Sequence, residues 1–243
     1  MNPQPAEFLP WDSDFFGIRI GRVHPGPFDP LAVDAWRREN HVRCLYYLAE
    51  LDDLVSIHAA EDMGFHLMDI RASFSLALPH HAPVNPKFEI RRANDEDLPV
   101  IRKLSTGIFT NTRFAQDANF ARDRVHDMYN QWVEDHFHLP NTGLWVSEDE
   151  GNLTGFVTAV ELDATRVRIS LLGVSEHARG QGLALSLNNH VINHYSSIGY
   201  QHLEAITQTR NRTTFNLNFR CGMKLISQQL WYHGWFEDSQ EER

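Results

Sequence analysis

Apolar residues recur at every second position across residues 166–174 and at every fourth position across residues 183–197. The first period, with its β-branched residues, predicts a strand. The second puts Leu183, Leu187, Val191 and Tyr195 on one face of a helix. Between them stands Arg179-Gly180-Gln181-Gly182-Leu183-Ala184. Two glycines there remove side chains that would hold a ligand off the backbone. The first N–H groups of a helix have no internal partner and lie at the positive end of its dipole. A strand, a glycine turn and a bare helix start therefore predict a cradle for a phosphate or pyrophosphate. The second glycine is followed by Leu183-Ala184 rather than Lys-Ser/Thr, so this is not a P-loop. The third glycine of a dinucleotide fingerprint is missing as well.

The same patterns organise the rest of the chain. Alternation of Phe16, Ile18 and Ile20 predicts a strand within residues 11–23. Asp29 caps a helix over residues 30–39, with Leu31, Ala35 and Val33 inward. Residues 42–49 read as a buried strand, and Asp52 or Asp53 starts a helix that Gly64 stops. Residues 65–78 form a long strand. Three prolines in residues 79–86 mark a linker. A strand over 88–92, a helix over 96–107, an irregular polar stretch and a helix over 120–137 follow. Strands over 144–147 and 153–162 make a hairpin around Glu150-Gly151-Asn152. Beyond the cradle helix lie a strand over 202–207, a short helix over 211–221 and a hairpin-like extended region, rich in Trp and Tyr, over 224–236. The domains expected are 1–78, a linker 79–87, a second domain 88–236 and a polar tail 237–243.

Composition narrows the classes. The formal net charge of −10 argues against general nucleic-acid or membrane-surface binding. No apolar run is long enough to span a bilayer, and residues 1–15 lack the basic and apolar regions of a signal peptide. Two distant cysteines, Cys44 and Cys221, support neither a disulfide framework nor a cysteine metal site. A reduced cytoplasmic protein is expected, with no metal. His190 and His194 lack the acidic neighbour of a zinc helix and read as a solvated face. His136 and His138 end a helix, where imidazolium favours the dipole. Arg210 and Arg212 read equally well as solvated or as ligand contacts.

The cradle, Arg-Gly-x-Gly-Leu-Ala after Leu-Leu-Gly-Val-Ser, resembles the acyl-CoA signature of the GNAT acyltransferases. The element order over 88–236 is that fold's own order. The fold class expected is α/β (α+β), a GNAT fold with a central mixed sheet, preceded by a smaller truncated GNAT-like β-α-β-α-β domain. Three further stretches resemble the TDP-fucosamine acetyltransferase group of nucleotide-sugar N-acyltransferases. These are Trp11-Asp12-Ser13-Asp14-Phe15-Phe16-Gly17, Thr112-Arg113-Phe114 and Leu230-Trp231-Tyr232-His233-Gly234-Trp235-Phe236.

The resemblance implies acyl-CoA as co-substrate and a nucleotide-linked aminosugar as acceptor, with direct attack in a ternary complex. It implies that Arg179, Gly180, Gln181, Gly182, Leu183 and Ala184 hold the pyrophosphate. Leu172, Gly173 and Val174 would pair with the pantetheine arm through their main chains, and Asn211 would sit beside the thioester. The family places tyrosine seven residues after that asparagine to protonate the leaving thiolate. Here the position is Asn218, whose amide can donate a hydrogen bond but not a proton. Tyr232 is one substitute for it. Glu161 is the candidate base and Glu204 its rival. Arg113, Arg122 or Arg124 would supply donors to the acceptor's diphosphate, and Phe114, Tyr129 or Trp132 would meet its flat faces. For Tyr129 and Trp132, core packing is the favoured alternative. A homodimer is compatible with the group. Two other readings stay open: acylation of another small amine or protein N-terminus, and a non-catalytic acyl-CoA-binding module.

Overall fold

The computed structural model describes residues 4–237, so most of the expected polar tail, residues 238–243, lies outside the described residues. Two compact units are present. Among the described residues, unit 1 comprises 4–71, 112–120 and 228–237, and unit 2 comprises 72–111 and 121–227.

Unit 1 contains β1 (Ala6–Phe8), α1 (Pro10–Phe16), β2 (Ile20–Val23), α2 (Pro30–Glu39), β3 (Cys44–Glu50) and α3 (Leu54–Asp62). It also holds the first part of β4 (Phe65–Ala77), the short α5 (Arg113–Gln116) and the latter part of β10 (Lys224–Trp235). Its strand order is β1-β2-β3-β10-β4. β2 and β3 run parallel, and β10 lies antiparallel to β3 with Tyr232 opposite Tyr47 and His233 opposite Tyr46. Both faces of β3 are covered. Leu45, Tyr47 and Ala49 join Val33, Trp36, Ile57 and Phe65 in one core, which leaves Cys44 and Tyr46 for the other face.

The expected strand over residues 11–23 is instead a helix followed by a strand. Pro10 is pre-set for the first helical turn, and Gly17, at φ 70°, ends α1 in the left-handed region. Buried Ser13 locks the corner: its hydroxyl donates to the Leu9 carbonyl (2.6 Å) and accepts from the Ile20 N–H (2.9 Å). In α2, Asp29 caps as expected, accepting from Leu31 and Ala32 N–H, yet Val33 and Trp36 face inward while Leu31 is 83% exposed.

Unit 2 contains β5 (Glu89–Arg92), α4 (Leu98–Ser105), α6 (Arg122–His138), β6 (Thr142–Asp149), β7 (Asn152–Glu161), β8 (Arg166–Val174), α7 (Leu183–Ser197), β9 (His202–Gln208) and α8 (Arg212–Arg220). Its strands run β4-β9-β8-β7-β6-β5. β5 to β8 pair antiparallel in sequence, and β8 pairs parallel with β9. The apolar stripe of α7, Leu183, Leu187, Val191 and Tyr195, packs against Val157, Ala159, Val167, Ile169, Leu203 and Ala205. Burying each such aliphatic side chain stabilises by about 1.5–3 kcal/mol, so α7 anchors the loop before it.

Residues 79–87 do not behave as a linker. Ala82 is buried in the core of unit 2, and its N–H donates to Asn193 Oδ1 (2.9 Å) while its carbonyl accepts from Asn193 Nδ2 (3.0 Å). The His80 N–H donates to Ser196 Oγ (3.1 Å). Prolines bar this segment from a ladder, but polar side chains of α7 satisfy its backbone instead. Residues 224–235, open as a hairpin in the sequence, form one continuous strand.

Candidate active site

β8 ends at Val174, a single 3-10 turn (Glu176–Ala178) follows, and Arg179 to Gly182 lead into α7. Gly180 and Gly182 both have positive φ, 75° and 91°. An added Cβ at either would meet no protein atom within 4 Å. The glycines thus serve the backbone turn and leave open space in front of it. Gly182 is the N-cap of α7 and, having no side chain, gives no cap hydrogen bond to the first turn. The helix start therefore offers bare N–H groups to an anion. An open groove of about 900 Å³ lies beside it, with Val174, Ser175, Glu176, His177 and Arg179 on one side and Lys103 and Thr106 at the end of α4 on the other.

Gln181 has two anchors. Its Nε2 donates to the His177 carbonyl (3.1 Å), and its Oε1 accepts from Lys87 Nζ (2.7 Å). Lys87, which gave no signal in the sequence, thus adds a cation to the cradle from a segment that reads as a linker. We expect Lys87→Ala to raise the KM for acyl-CoA about three- to tenfold at low salt, and less at high salt, with kcat within about twofold. Steady-state kinetics at two ionic strengths checks this.

The parallel pairing of β8 with β9 stops at Ile169 opposite Ala205, although β8 continues to Val174 and β9 to Gln208. The two strands part there. On the other side β8 stays paired to β7 beyond an irregularity between Val157 and Ala159. The Leu171 N–H donates to Thr158 Oγ1 (2.9 Å) and the Ser175 N–H to the Thr154 carbonyl (2.8 Å), so both point toward β7. By strand alternation the main-chain groups of Leu172 and Val174 face the gap. Arg179 Nε already reaches the Val174 carbonyl (3.4 Å). Gly173 has a different task from the one expected. Its carbonyl points at Gly155 on β7, and a Cβ on it would lie 2.4 Å from the Phe156 ring.

Thr158 carries a further partner. His136 Nδ1 lies 3.0 Å from its hydroxyl, and burial pushes the His136 pKa down, opposed by the charge of Asp135. Instead of an imidazolium on a helix dipole, His136 is a neutral ring that braces the irregular turn of β8 through Thr158.

The expected catalytic side chains are dispersed. Asn211 is the N-cap of α8, accepting from the Thr214 N–H (3.2 Å). Asn218 is 1% exposed on the inner face of α8, and its Nδ2 has no hydrogen-bond partner among the described residues. Glu161 stands opposite Val167, at the start of β8, whereas the cradle follows Val174. Seven residues of strand place it about 23 Å from the cradle end. Its Oε1 accepts from the Tyr195 hydroxyl (3.4 Å), which ties it to α7. Glu204 is bound to Arg168 (2.9 Å) and Arg166 (3.4 Å). The Tyr232 hydroxyl donates to Glu61 (2.8 Å) within the core of unit 1.

Of the acceptor residues, Tyr129 is buried in unit 2 and stacks on Phe109 with centroids 4.5 Å apart. It is packing, not a ligand platform. Phe114, in unit 1, is 3% exposed among Phe16, Tyr46, Phe120 and His233. Its neighbour Arg113 is half-buried, and its guanidinium lies over the rings of Tyr46 (4.1 Å), Phe114 (4.0 Å) and Trp231 (4.4 Å). His190 and His194 pack edge-on around Trp145, and burial lowers both of their pKa values. They line an aromatic cluster, not a solvated face. No helix among the described residues is long and apolar enough to cross a membrane.

A splayed parallel strand pair that opens above a glycine cradle defines the GNAT class of acyltransferases. Residues 108–223 match the Acetyltransferase (GNAT) family, and this region is an acyl-CoA-dependent acetyltransferase domain of that kind. Across its length the chain is 26% identical to dTDP-fucosamine acetyltransferase of Escherichia coli O6:H1, covering 93% of this chain and 96% of that one. Among solved structures it is similar in fold to a GCN5-related N-acetyltransferase from Sphaerobacter thermophilus (TM-score 0.65, 17% identity, 95% of this chain and 76% of that one). A GCN5-related N-acetyltransferase from Kribbella flavida is also similar (TM-score 0.67, 10% identity, 100% and 91%).

Proposed function

We propose that the protein transfers an acetyl or other short acyl group from acyl-CoA to the amino group of a nucleotide-linked (TDP) amino-deoxysugar. The observation that carries the acceptor class is the likeness to dTDP-fucosamine acetyltransferase over nearly both whole chains, supported by the Arg113 cation held among aromatic rings. When bound, acyl-CoA supplies an activated thioester. Arg179, Gly180, Gln181, Gly182, Leu183 and Ala184, with Lys87, hold its pyrophosphate, and the main chains of Leu172 and Val174 take the pantetheine arm. A main-chain N–H in the gap polarises the thioester carbonyl. Asn211 orders the start of α8. Asn218 then offers a hydrogen bond to the departing thiolate, which is a stable enough leaving group to depart without full protonation. With Glu161 and Glu204 engaged elsewhere, the amine attacks in its neutral form, the C–N bond forms as the C–S bond breaks, and the proton left on the nitrogen passes to solvent.

Asn218→Ala is expected to lower kcat about tenfold, the value of one hydrogen bond to a charged group, with the KM for acyl-CoA within about twofold. An unchanged kcat in a normally folded variant reduces Asn218 to packing. The acceptor is tested by thiol release from acetyl-CoA across TDP-aminosugars, simple amines and peptide N-termini. Fastest release with a TDP-aminosugar supports the proposal, and equal or faster release with a simple amine or a peptide overturns it. Tight acyl-CoA binding with no release points to a non-catalytic module.

A further inference from the structure

In unit 1, the half-buried Arg113 makes no contact ion pair among the described residues; the carboxylate of Asp12 acts on it only through space. Among the described residues no carboxylate oxygen lies within 4.0 Å of its guanidinium. Its polar neighbour is His233, whose Nε2 is 2.5 Å from Arg113 Nη1. His233 is fully buried, and its Nδ1 is 2.6 Å from Asp117 Oδ2. The same Asp117 oxygen accepts from Trp235 Nε1 (2.8 Å), and its Oδ1 accepts from the Asn119 N–H (3.0 Å).

These contacts assign the ring. A carboxylate can only accept, so Nδ1 carries the proton. Nε2 then presents a lone pair, which accepts from Arg113. Burial keeps the ring neutral, and the pKa of His233 is pushed down to about 4. A carboxylate in the same place would hold Arg113 equally well but would cancel its charge at contact distance. A neutral imidazole fixes the guanidinium without placing a carboxylate at contact distance, and Asp12 offsets the charge only from further off. Tyr46, Phe114 and Trp231 sheathe it with rings, which attract a cation without neutralising it. A half-buried cation in this setting is costly until an anion arrives. Of its five N–H groups, His233 takes one.

We infer that Asp117 and His233 are positioning residues that aim Arg113 at the diphosphate of a nucleoside-diphosphate acceptor. The inference rests on the proposed acceptor class for the nucleoside, but not for the anion.

The test is titration calorimetry on the full chain, with coenzyme A saturating so that the cradle is filled. Inorganic pyrophosphate is the probe. Arg113→Gln is expected to weaken it at least about tenfold, and His233→Asn about tenfold, because Asn keeps the bond to Asp117 but loses the acceptor for Arg113. His233→Gln places an amide oxygen near the position of Nε2 and is expected to stay within about threefold of the wild type. Asp117→Asn frees the ring to present Nε2–H to Arg113 and is expected to weaken binding as His233→Asn does. Melting curves separate these effects from unfolding, and Arg113→Gln changes a half-buried side chain outside the core. Loss in His233→Asn with rescue in His233→Gln supports the relay. Equal affinities in the two variants, or wild-type pyrophosphate binding that is absent or indifferent to Arg113→Gln, overturn it. A parallel titration with dTDP judges the acceptor separately: dTDP binding no tighter than pyrophosphate contradicts nucleoside recognition and leaves the relay standing.

Discussion

Gly182→Val is expected to raise the KM for acyl-CoA on the order of a hundredfold, without unfolding the protein. Gly182 has φ 91°, and a left-handed conformation costs an L-residue about 1–2 kcal/mol. The new Cβ meets no protein atom within 4 Å, so the fold can accept it. The space it enters is the space offered to the pyrophosphate. A charge-assisted contact to a backbone N–H is worth about 1.5–3 kcal/mol. The backbone cost falls on folding stability and the lost contact falls on binding, where about 1.5–3 kcal/mol at 1.4 kcal/mol per tenfold reaches roughly a hundredfold. Gly173→Ala makes the contrast, because its Cβ would strike the Phe156 ring at 2.4 Å, so the loss there falls first on stability. Acyl-CoA titration and thermal melting on both variants separate the two. A Gly182→Val protein with ordinary acyl-CoA affinity would falsify the cradle.

Acidification is expected to cost the protein about 3 kcal/mol through His233 alone. Its folded pKa is about 4, because burial disfavours the charged ring more strongly than the Asp117 bond favours it, and Arg113 opposes the charge further. The unfolded value is near 6.5. Below that pH the unfolded chain binds a proton that the folded chain refuses, so stability falls as pH drops from about 6.5 to 4 and then levels. The 2.5-unit difference at about 1.4 kcal/mol per unit sets the size. Asp117 acts lower on the scale. Burial would raise its pKa, but the bonds from His233, Trp235 and the Asn119 N–H outweigh it and bring the value to about 2. Its contribution is lost as pH falls through that value. Asp12, whose pKa burial raises against the pull of Arg113, acts in the opposite sense. His136, His190 and His194 add to the His233 trend, since burial lowers all three. Urea unfolding of the wild type and of His233→Asn at pH 7 and pH 4.5 isolates the His233 share. The variant should lose markedly less stability between the two, and parallel losses would show that His233 titrates as it does in the unfolded chain.

The elements that the sequence reveals are those whose signals are local. The turn at Gly180 and Gly182, the strand before it and the helix after it lie within some thirty residues, and their geometry follows from positive φ and from the period of apolar side chains. Asp29 before Pro30 and Asp53 before α3 are legible for the same reason, because a cap bonds two or three residues onward. Local pattern misleads where two elements share it. Phe16, Ile18 and Ile20 alternate like a strand, yet Pro10 and Gly17 bracket a helix between them. The prolines of residues 79–86 signal only the lack of a ladder, and side chains of α7 more than a hundred residues away bind that segment into unit 2.

Position along a strand is the second thing that composition cannot supply. Glu161 and Gly173 are both polar-compatible positions near the cradle in sequence. Register puts Glu161 at the far end of β8, and pleat turns Gly173 toward β7. The residue types needed for a coenzyme turn were therefore readable from the chain, because a glycine's dihedral freedom and a helix's free N–H groups belong to the backbone around them. Asp117, His233 and Arg113 were not readable as a set. Asp117 and His233 are separated by 116 positions, and the proton on one ring nitrogen depends on a bond that exists only once β10 lies against β3 and α5 is folded over its face. Charge state and aim are properties of burial and of neighbours distant in sequence, and both arise when the chain closes on itself.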